Sequence, residues 1–377
     1  MFVVDQLKQS RALWYTCGND SWFSTRDCTT GARLQICFNG GRVSSIPDVT
    51  NSTLAGYRAA RESAAILDQG GHARLWLAGE DRIAFLQRLT TNEMRLRPGQ
   101  GTVTILTSPT ARILAVLTVQ VHPTGLLLMA GPGQGPAIFN TLRTQIFFSD
   151  RVALEGRGGA LAQLAVLGPQ AGDALAQAGA GDTSDLPLFG WRTVSIAGAD
   201  VTVQRIEGIE GQGFLLLAPA PAAQAVRAEI LQAGATPLSE DAYQVLRVES
   251  GLPAPGAELT EDVTPLEAGL RRFCDDHKGC YTGQEIVARQ ITYDKVTNRL
   301  VGLLPAAPVT AKAHVQTGAP GAQGIGWVSS AVHSIALDRP VALAIVRRAF
   351  SDPGTPVVVQ SSDGPVAAEV AALPFVG

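Results

Sequence analysis

Long uninterrupted apolar runs are missing from this chain. The best candidate, Ile113 to Met129, is broken by Gln120, His122, Pro123 and Gly125, whereas a membrane span needs roughly 20 consecutive apolar residues. It predicts two buried strands around a turn, and no membrane association is expected. An excess of one charge is missing too. Thirty Lys and Arg stand against 33 Asp and Glu, a net charge of −3, so no global attraction for nucleic acid is expected. Cysteine is scarce, with Cys17, Cys28, Cys37, Cys274 and Cys280. An odd count without a secretory signal argues against a disulfide framework and for a reducing, cytoplasmic setting. No pair has CxxC spacing and the five histidines have no ligand spacing, which removes zinc and protein-held cluster sites from consideration.

What is present is core material. Of the 377 residues 46% are apolar and 17% charged, enough for two or three packed domains. Residues 1–52 hold three of the cysteines together with Trp14 and Trp22 among Asn, Ser, Thr and Gly, and remain an unassigned extension. From Thr53 the pattern is regular. Helical spacing runs from Tyr57 to Leu67, and Asp68-Gln69-Gly70-Gly71 marks its stop. Strands are predicted at 72–78, 102–106, 112–121, 125–130, 161–167, 191–196, 201–206 and 213–217, and helices at 80–88 and 222–234. Ser239 predicts an N-cap for a helix over 240–250, with Gly251 as its stop. Short apolar strands between Gly and Pro turns from Arg299 to Val376 predict a small β-barrel or sandwich.

One cysteine has an informative setting. Thr282-Gly283-Gln284-Glu285 fits a capping box, with Thr282 as N-cap and Glu285 at the third helical position. Cys280 then precedes a helix N-terminus, and Lys278 supplies a nearby cation; both favour thiolate over thiol. Equally, Cys280 can be read as a small core residue in a tight loop. His277 reads as a solvated residue between Asp275 and Asp276, and Cys274, beside Leu270–Phe273, as core.

The string Lys278-Gly279-Cys280-Tyr281-Thr282-Gly283-Gln284-Glu285, followed by Ala288-Arg289, resembles the signature of the YgfZ-type folate-binding family, relatives of the glycine cleavage T protein. Flanking segments agree with it: Gly79 to Asn92, Arg247 to Pro253, Pro265 to Leu270, Asn298 to Leu300 and Leu373 to Phe375. The resemblance implies a three-domain α+β cloverleaf, with two interleaved α+β domains (53–150 with the return of 240–290, and 151–239) and a C-terminal β-barrel at 291–377. It further implies a tetrahydrofolate or folate-derivative ligand, and a role supporting assembly or repair of iron–sulfur enzymes such as tRNA methylthiotransferases. Direct nucleic-acid binding is not expected.

Within that resemblance, Cys280 and Lys278 are the candidate reactive residues. Tyr281, Gln284, Glu285, Glu249, Arg289, Asn92 and Arg112 are candidates for the folate pocket. An aminomethyltransferase is the alternative enzyme, and a non-catalytic folate-binding module a third reading. The T-protein pattern places paired aspartates where this chain has Ala115 and Val116, which cannot accept a proton. Its G-x-x-G-E-x-G segment appears as Gly208 to Phe214 with Glu210 one position early. Ala111-Arg112 stands where Gly-Arg is common, so a positive φ there would strain Ala111.

Overall fold

A computed structural model describes residues 51–209, 211–318 and 322–376, with the backbone of two further strands. Glu210, Cys17, Cys28 and Cys37 lie outside the described residues. The strands β1 (Leu13–Thr16) and β2 (Trp22–Thr25) form an antiparallel pair within a separate unit ending at Ser45.

The second unit runs through α1 (Asn51–Glu62), β3 (Ala65–Asp68), β4 (His72–Ala78), α2 (Arg82–Leu89), β5 (Gly101–Thr107), β6 (Ile113–Val121), β7 (Gly125–Pro132), α3 (Gly135–Thr144) and β8 (Ala153–Gly156). Then come β9 (Leu161–Leu167), α4 (Ala171–Leu175), β10 (Trp191–Ile196), β11 (Ala199–Glu207), β12 (Gln212–Pro219), α5 (Ala223–Gln232), β13 (Thr236–Pro237), α6 (Glu240–Glu249) and α7 (Gln284–Thr292). The last six strands are β14 (Asn298–Pro305), β15 (His314–Thr317), β16 (Gly324–Ser334), β17 (Arg339–Arg347), β18 (Pro356–Ser361) and β19 (Gly364–Ala371).

Three sheets result. The first has the order β5-β6-β7-β4-β8, the second β10-β11-β12-β9-β3-β13, and β14-β17-β16-β15-β18-β19 close into a barrel. Each has its own core. Leu75, Leu77, Leu117, Val119 and Leu128 pack against Phe85, Leu86 and Leu142 of α2 and α3. Leu164, Val166, Phe214 and Leu216 pack against α4 and α5. Val301, Val315, Val328 and Val359 fill the barrel. The alternation along each strand leaves a second face, and there Leu127 and Met129 of the first sheet meet Leu215 and Leu217 of the second.

One predicted element changes type, and the helix α3 stands where the sequence reading placed no element. The helix expected to reach Leu67 ends at Glu62, and residues 65–68 are a strand beside β9, in register Ala65↔Leu167. A four-residue apolar run fits a buried strand as well as the last turn of a helix, and the open edge at β9 decides for the strand. The α6 cap is as expected: Ser239 Oγ accepts from the Ala242 N–H at 3.2 Å, and Gly251 ends the helix at φ +68°. No helix among the described residues is long and apolar enough to cross a membrane.

The barrel is tied back to the helices by buried charge. Glu249, 1% exposed, accepts from Tyr57 Oη (2.5 Å), Arg61 Nη1 (3.2 Å), Ser334 Oγ (2.6 Å) and Ala336 N (3.1 Å). It joins α1 and α6 to β16. Glu249→Ala leaves these donors without their acceptor, so we expect a loss of about 3–5 kcal/mol in stability, measurable by urea denaturation.

Candidate functional site

The segment 273–283 is held on the first sheet from several points. Thr91 Oγ1 donates to the Phe273 carbonyl (2.7 Å), and Asp275 N donates to the Thr91 carbonyl (3.0 Å). Asp275 Oδ1 turns back to accept from His277 N (2.7 Å) and Lys278 N (3.2 Å). Lys278 is 6% exposed, and its Nζ donates to the carbonyls of Thr90 (2.5 Å) and Asn92 (2.7 Å). It lies 5.2 Å from the centre of the buried Tyr281 ring.

The other side of the loop is fixed as firmly. Thr282 N donates to the Arg88 carbonyl (3.0 Å), its hydroxyl faces the same oxygen (3.5 Å), and its carbonyl accepts from Thr107 Oγ1 (2.6 Å). The capping box expected at Thr282 is therefore replaced. Gly283 is the N-cap of α7, at φ +82°, with no side-chain cap hydrogen bond, and Glu285 is its second residue. The Thr282 hydroxyl is drawn instead to the Arg88 carbonyl, a partner that no local pattern marks. Gly283 has a steric requirement as well: a Cβ there would stand 2.7 Å from Ser108 O and 2.9 Å from Ala111 Cα. Ala111 in turn holds φ +57°, the strained conformation that the Ala-for-Gly exchange suggested.

Between these anchors Cys280 is exposed, three residues before the N-cap. Cys274 is 2% exposed in an apolar cluster, and burial pushes its thiol up to about 11. The His277 side chain is 93% exposed beside Asp276, a solvated residue as read from its neighbours. Among the described residues no group of His, Cys, Asp and Glu is arranged to hold a metal.

The remaining candidates separate. Gln284 and Glu285 open α7, and Glu285 pairs with Arg289 across one turn at 2.6 Å. Asn92 lies under Lys278, but its side chain donates to Thr102 Oγ1 (3.0 Å) and the Val103 carbonyl (2.9 Å) and accepts from Glu93 N. Glu249 stands in the buried network described above. Arg112 is elsewhere again, donating to the Asp262 carbonyl (2.7 Å) and lying 3.4 Å from Glu267. It lines a cleft of about 940 Å³ with Arg247, Asn298, Lys312, His314 and Trp327. That size suits a cofactor; the indole offers a flat wall, and Arg112 and Lys312 suit carboxylates. Lys312, His314 and Trp327 had drawn no attention in the sequence, because they lie far from any motif.

Ala115 of β6 is buried in the first core and Val116 packs against the cluster of Phe189 and Phe273, so neither position offers a carboxylate. Residues 4–278 match the GCVT N-terminal domain and residues 298–377 the glycine cleavage T-protein C-terminal barrel domain. The chain belongs to the glycine cleavage T-protein family. An aminomethyltransferase of Herpetosiphon aurantiacus is 28% identical over 93% of this chain and 96% of its own length. A candidate chloroplastic transferase of Arabidopsis thaliana is 33% identical over 64% of this chain, a stretch covering 56% of that protein. The crystal structure of the glycine cleavage system aminomethyltransferase T from Bartonella henselae superposes with a TM-score of 0.76 at 25% identity, covering 86% of this chain and 89% of that one. The family's α+β fold with a closed C-terminal barrel is thus the fold of this protein.

Two measurements follow from the loop. Iodoacetamide at pH 8 should alkylate Cys280 rapidly and leave Cys274 unmodified until the chain unfolds, as peptide mapping by mass spectrometry will show. Burial lowers the Lys278 pKa from 10.5 to about 8, opposed by Glu93 and Asp275. Between those pH values the unfolded chain retains a proton that the folded chain has lost. Stability from this group therefore rises with pH across that window, by about 3 kcal/mol in all. Lys278→Met should abolish that rise in urea titrations at pH 7.5 and pH 10.

Proposed function

We propose that this protein is a folate-binding accessory factor that uses Cys280 to support assembly or repair of iron–sulfur enzymes, tRNA methylthiotransferases among them. The observation that carries this reading is the exposure of Cys280 on a loop pinned at Lys278 and at Thr282. A thiol held so is available to a partner protein without any rearrangement of the fold. One cysteine cannot hold a cluster alone, so the sulfur meets iron or a second sulfur supplied by the partner. The absence of carboxylates at Ala115 and Val116 supports binding of folate without one-carbon transfer.

Folate in this reading occupies the cleft lined by Arg112 and Trp327, its glutamate carboxylates towards Arg112 and Lys312. Arg112→Ala should weaken tetrahydrofolate binding about tenfold or more in calorimetry, a loss typical of one charge-assisted contact. Unchanged affinity would move the folate elsewhere.

The second reading is aminomethyltransferase activity, favoured by the near full-length match to an enzyme of that name. The deciding experiment is complementation of a strain lacking its own factor of this type. Wild type should restore tRNA thiomethylation, and Cys280→Ala should fail while still binding folate. Tetrahydrofolate-dependent ammonia release from an aminomethyl-lipoyl carrier, unaffected by Cys280→Ala, would decide for the transferase.

A further inference from the structure

Leu75 and Leu77 of β4 face α2 and α3. Strand alternation therefore turns Trp76 to the opposite face, beside its register partners Leu127 of β7 and Glu155 of β8. Val201 and Val203 of β11 face α4 and α5, so Asp200 and Thr202 turn the other way, with Thr202 beside Leu217 of β12. Leu127 and Leu217 meet in the seam between the two sheets, with Trp76 and Leu161 packed against them. A cavity of about 240 Å³ opens at this meeting, and His122, Arg157 and Asp200 line it together with the apolar residues.

The walls are held in place. The Trp76 indole lies against Gly125, where a Cβ would stand 2.2 Å from its Cζ2, and the His122 ring meets it at a centroid distance of 5.2 Å. His122 is also 4.0 Å from the Trp191 ring, and burial pushes its pKa down from 6.5 to about 4, so it is neutral at pH 7. Leu127 and Leu217 are buried beneath. The charges at the rim do not cancel. Arg157 stands 5.8 Å over the Trp76 ring and pairs with Glu155 at 2.6 Å. The Asp200 carboxylate has no ion-pair or hydrogen-bond partner among the described residues. What remains unanswered is a negative charge at the edge of an apolar cavity, and apolar walls with a few polar groups are the usual make-up of a small-molecule site.

We infer that this cavity is a binding site for a small primary amine that carries an aromatic ring, of the arylalkylamine class. The ring lies between Trp76 and the leucines, where its apolar surface leaves water. The ammonium stands at Asp200, which gains a charge-assisted hydrogen bond. An acid in its place would meet Asp200 unpaired, and Arg157 is already engaged by Glu155. The site involves neither Cys280 nor the cleft at Arg112.

Calorimetry on the full chain with phenethylamine, phenethyl alcohol and hydrocinnamate tests this. Phenethylamine should bind about fivefold more tightly than the alcohol, the upper range for an ion pair at a partly exposed site, and hydrocinnamate should bind more weakly than both. Asp200→Asn should bring the amine down to the level of the alcohol and leave the alcohol unchanged. The melting temperature should hold, because that carboxylate has no internal partner to lose. Saturating tetrahydrofolate should leave the amine's affinity as it was. Failure of wild type to bind phenethylamine overturns the site, and so does wild-type affinity for the amine in Asp200→Asn. Equal binding of the three ligands, or a preference for hydrocinnamate, overturns the amine as the ligand. Displacement by tetrahydrofolate would put the amine in the folate cleft and overturn a separate site.

Discussion

Three buried carboxylates fix where the barrel sits. Glu249, Glu258 and Glu267 are each at most 3% exposed, and all lie on the stretch that leaves the end of α6 before α7. Glu249 takes Ser334 and Ala336 of the barrel side, Glu258 takes Ser330 (2.6 Å) and Arg247 (3.1 Å), and Glu267 takes Asn298 through both its backbone and side-chain N–H groups. An unpaired buried charge costs several kcal/mol, so the barrel docks where all three are answered together. The same stretch lies along the first sheet, where Ile113 N donates to the Val263 carbonyl, and continues into the loop that bears Cys280.

These contacts give physical meaning to segments that the sequence offered only as likenesses. Arg247 and Glu249 belong to one, Glu267 to the next, Asn298 to a third, and Phe375 N donates to the Glu249 carbonyl from the last. Their side chains stitch the barrel to the helices. Glu249 and Asn92, read from the sequence as possible folate contacts, are both occupied with internal partners. Motif membership alone does not separate a ligand contact from a joint.

Local pattern carried much of the fold. The strands at 161–167 and 191–196 end where alternation and turn residues say they should, and the strain at Ala111 was visible because glycine was the expected residue. What could not be read was any preference decided by a distant carbonyl. Thr282 has the chemistry of an N-cap, but an Arg88 carbonyl 194 residues away in the chain competes for its hydroxyl. Lys278 has the chemistry of a thiol activator, but two carbonyls of residues 90 and 92 hold its ammonium inside the fold. Backbone carbonyls exist at every residue, so no sequence feature marks the ones that matter.

The loop that bears Cys280 is fixed at several points. Lys278 anchors it, Tyr281 packs beneath that anchor, Thr282 joins it to α2 and β5, and Gly283 is required by its φ and by the closeness of Ser108 and Ala111. Folding accounts for the identity of each of these side chains. It does not account for Cys280, which is exposed; a serine there would satisfy the same backbone. A sulfur atom on an outward-facing loop gains nothing from the core, and the function proposed above turns on that atom. In that proposal the reactive role read from the sequence for Cys280 and Lys278 falls to the sulfur, while Lys278 holds the loop through the Thr90 and Asn92 carbonyls.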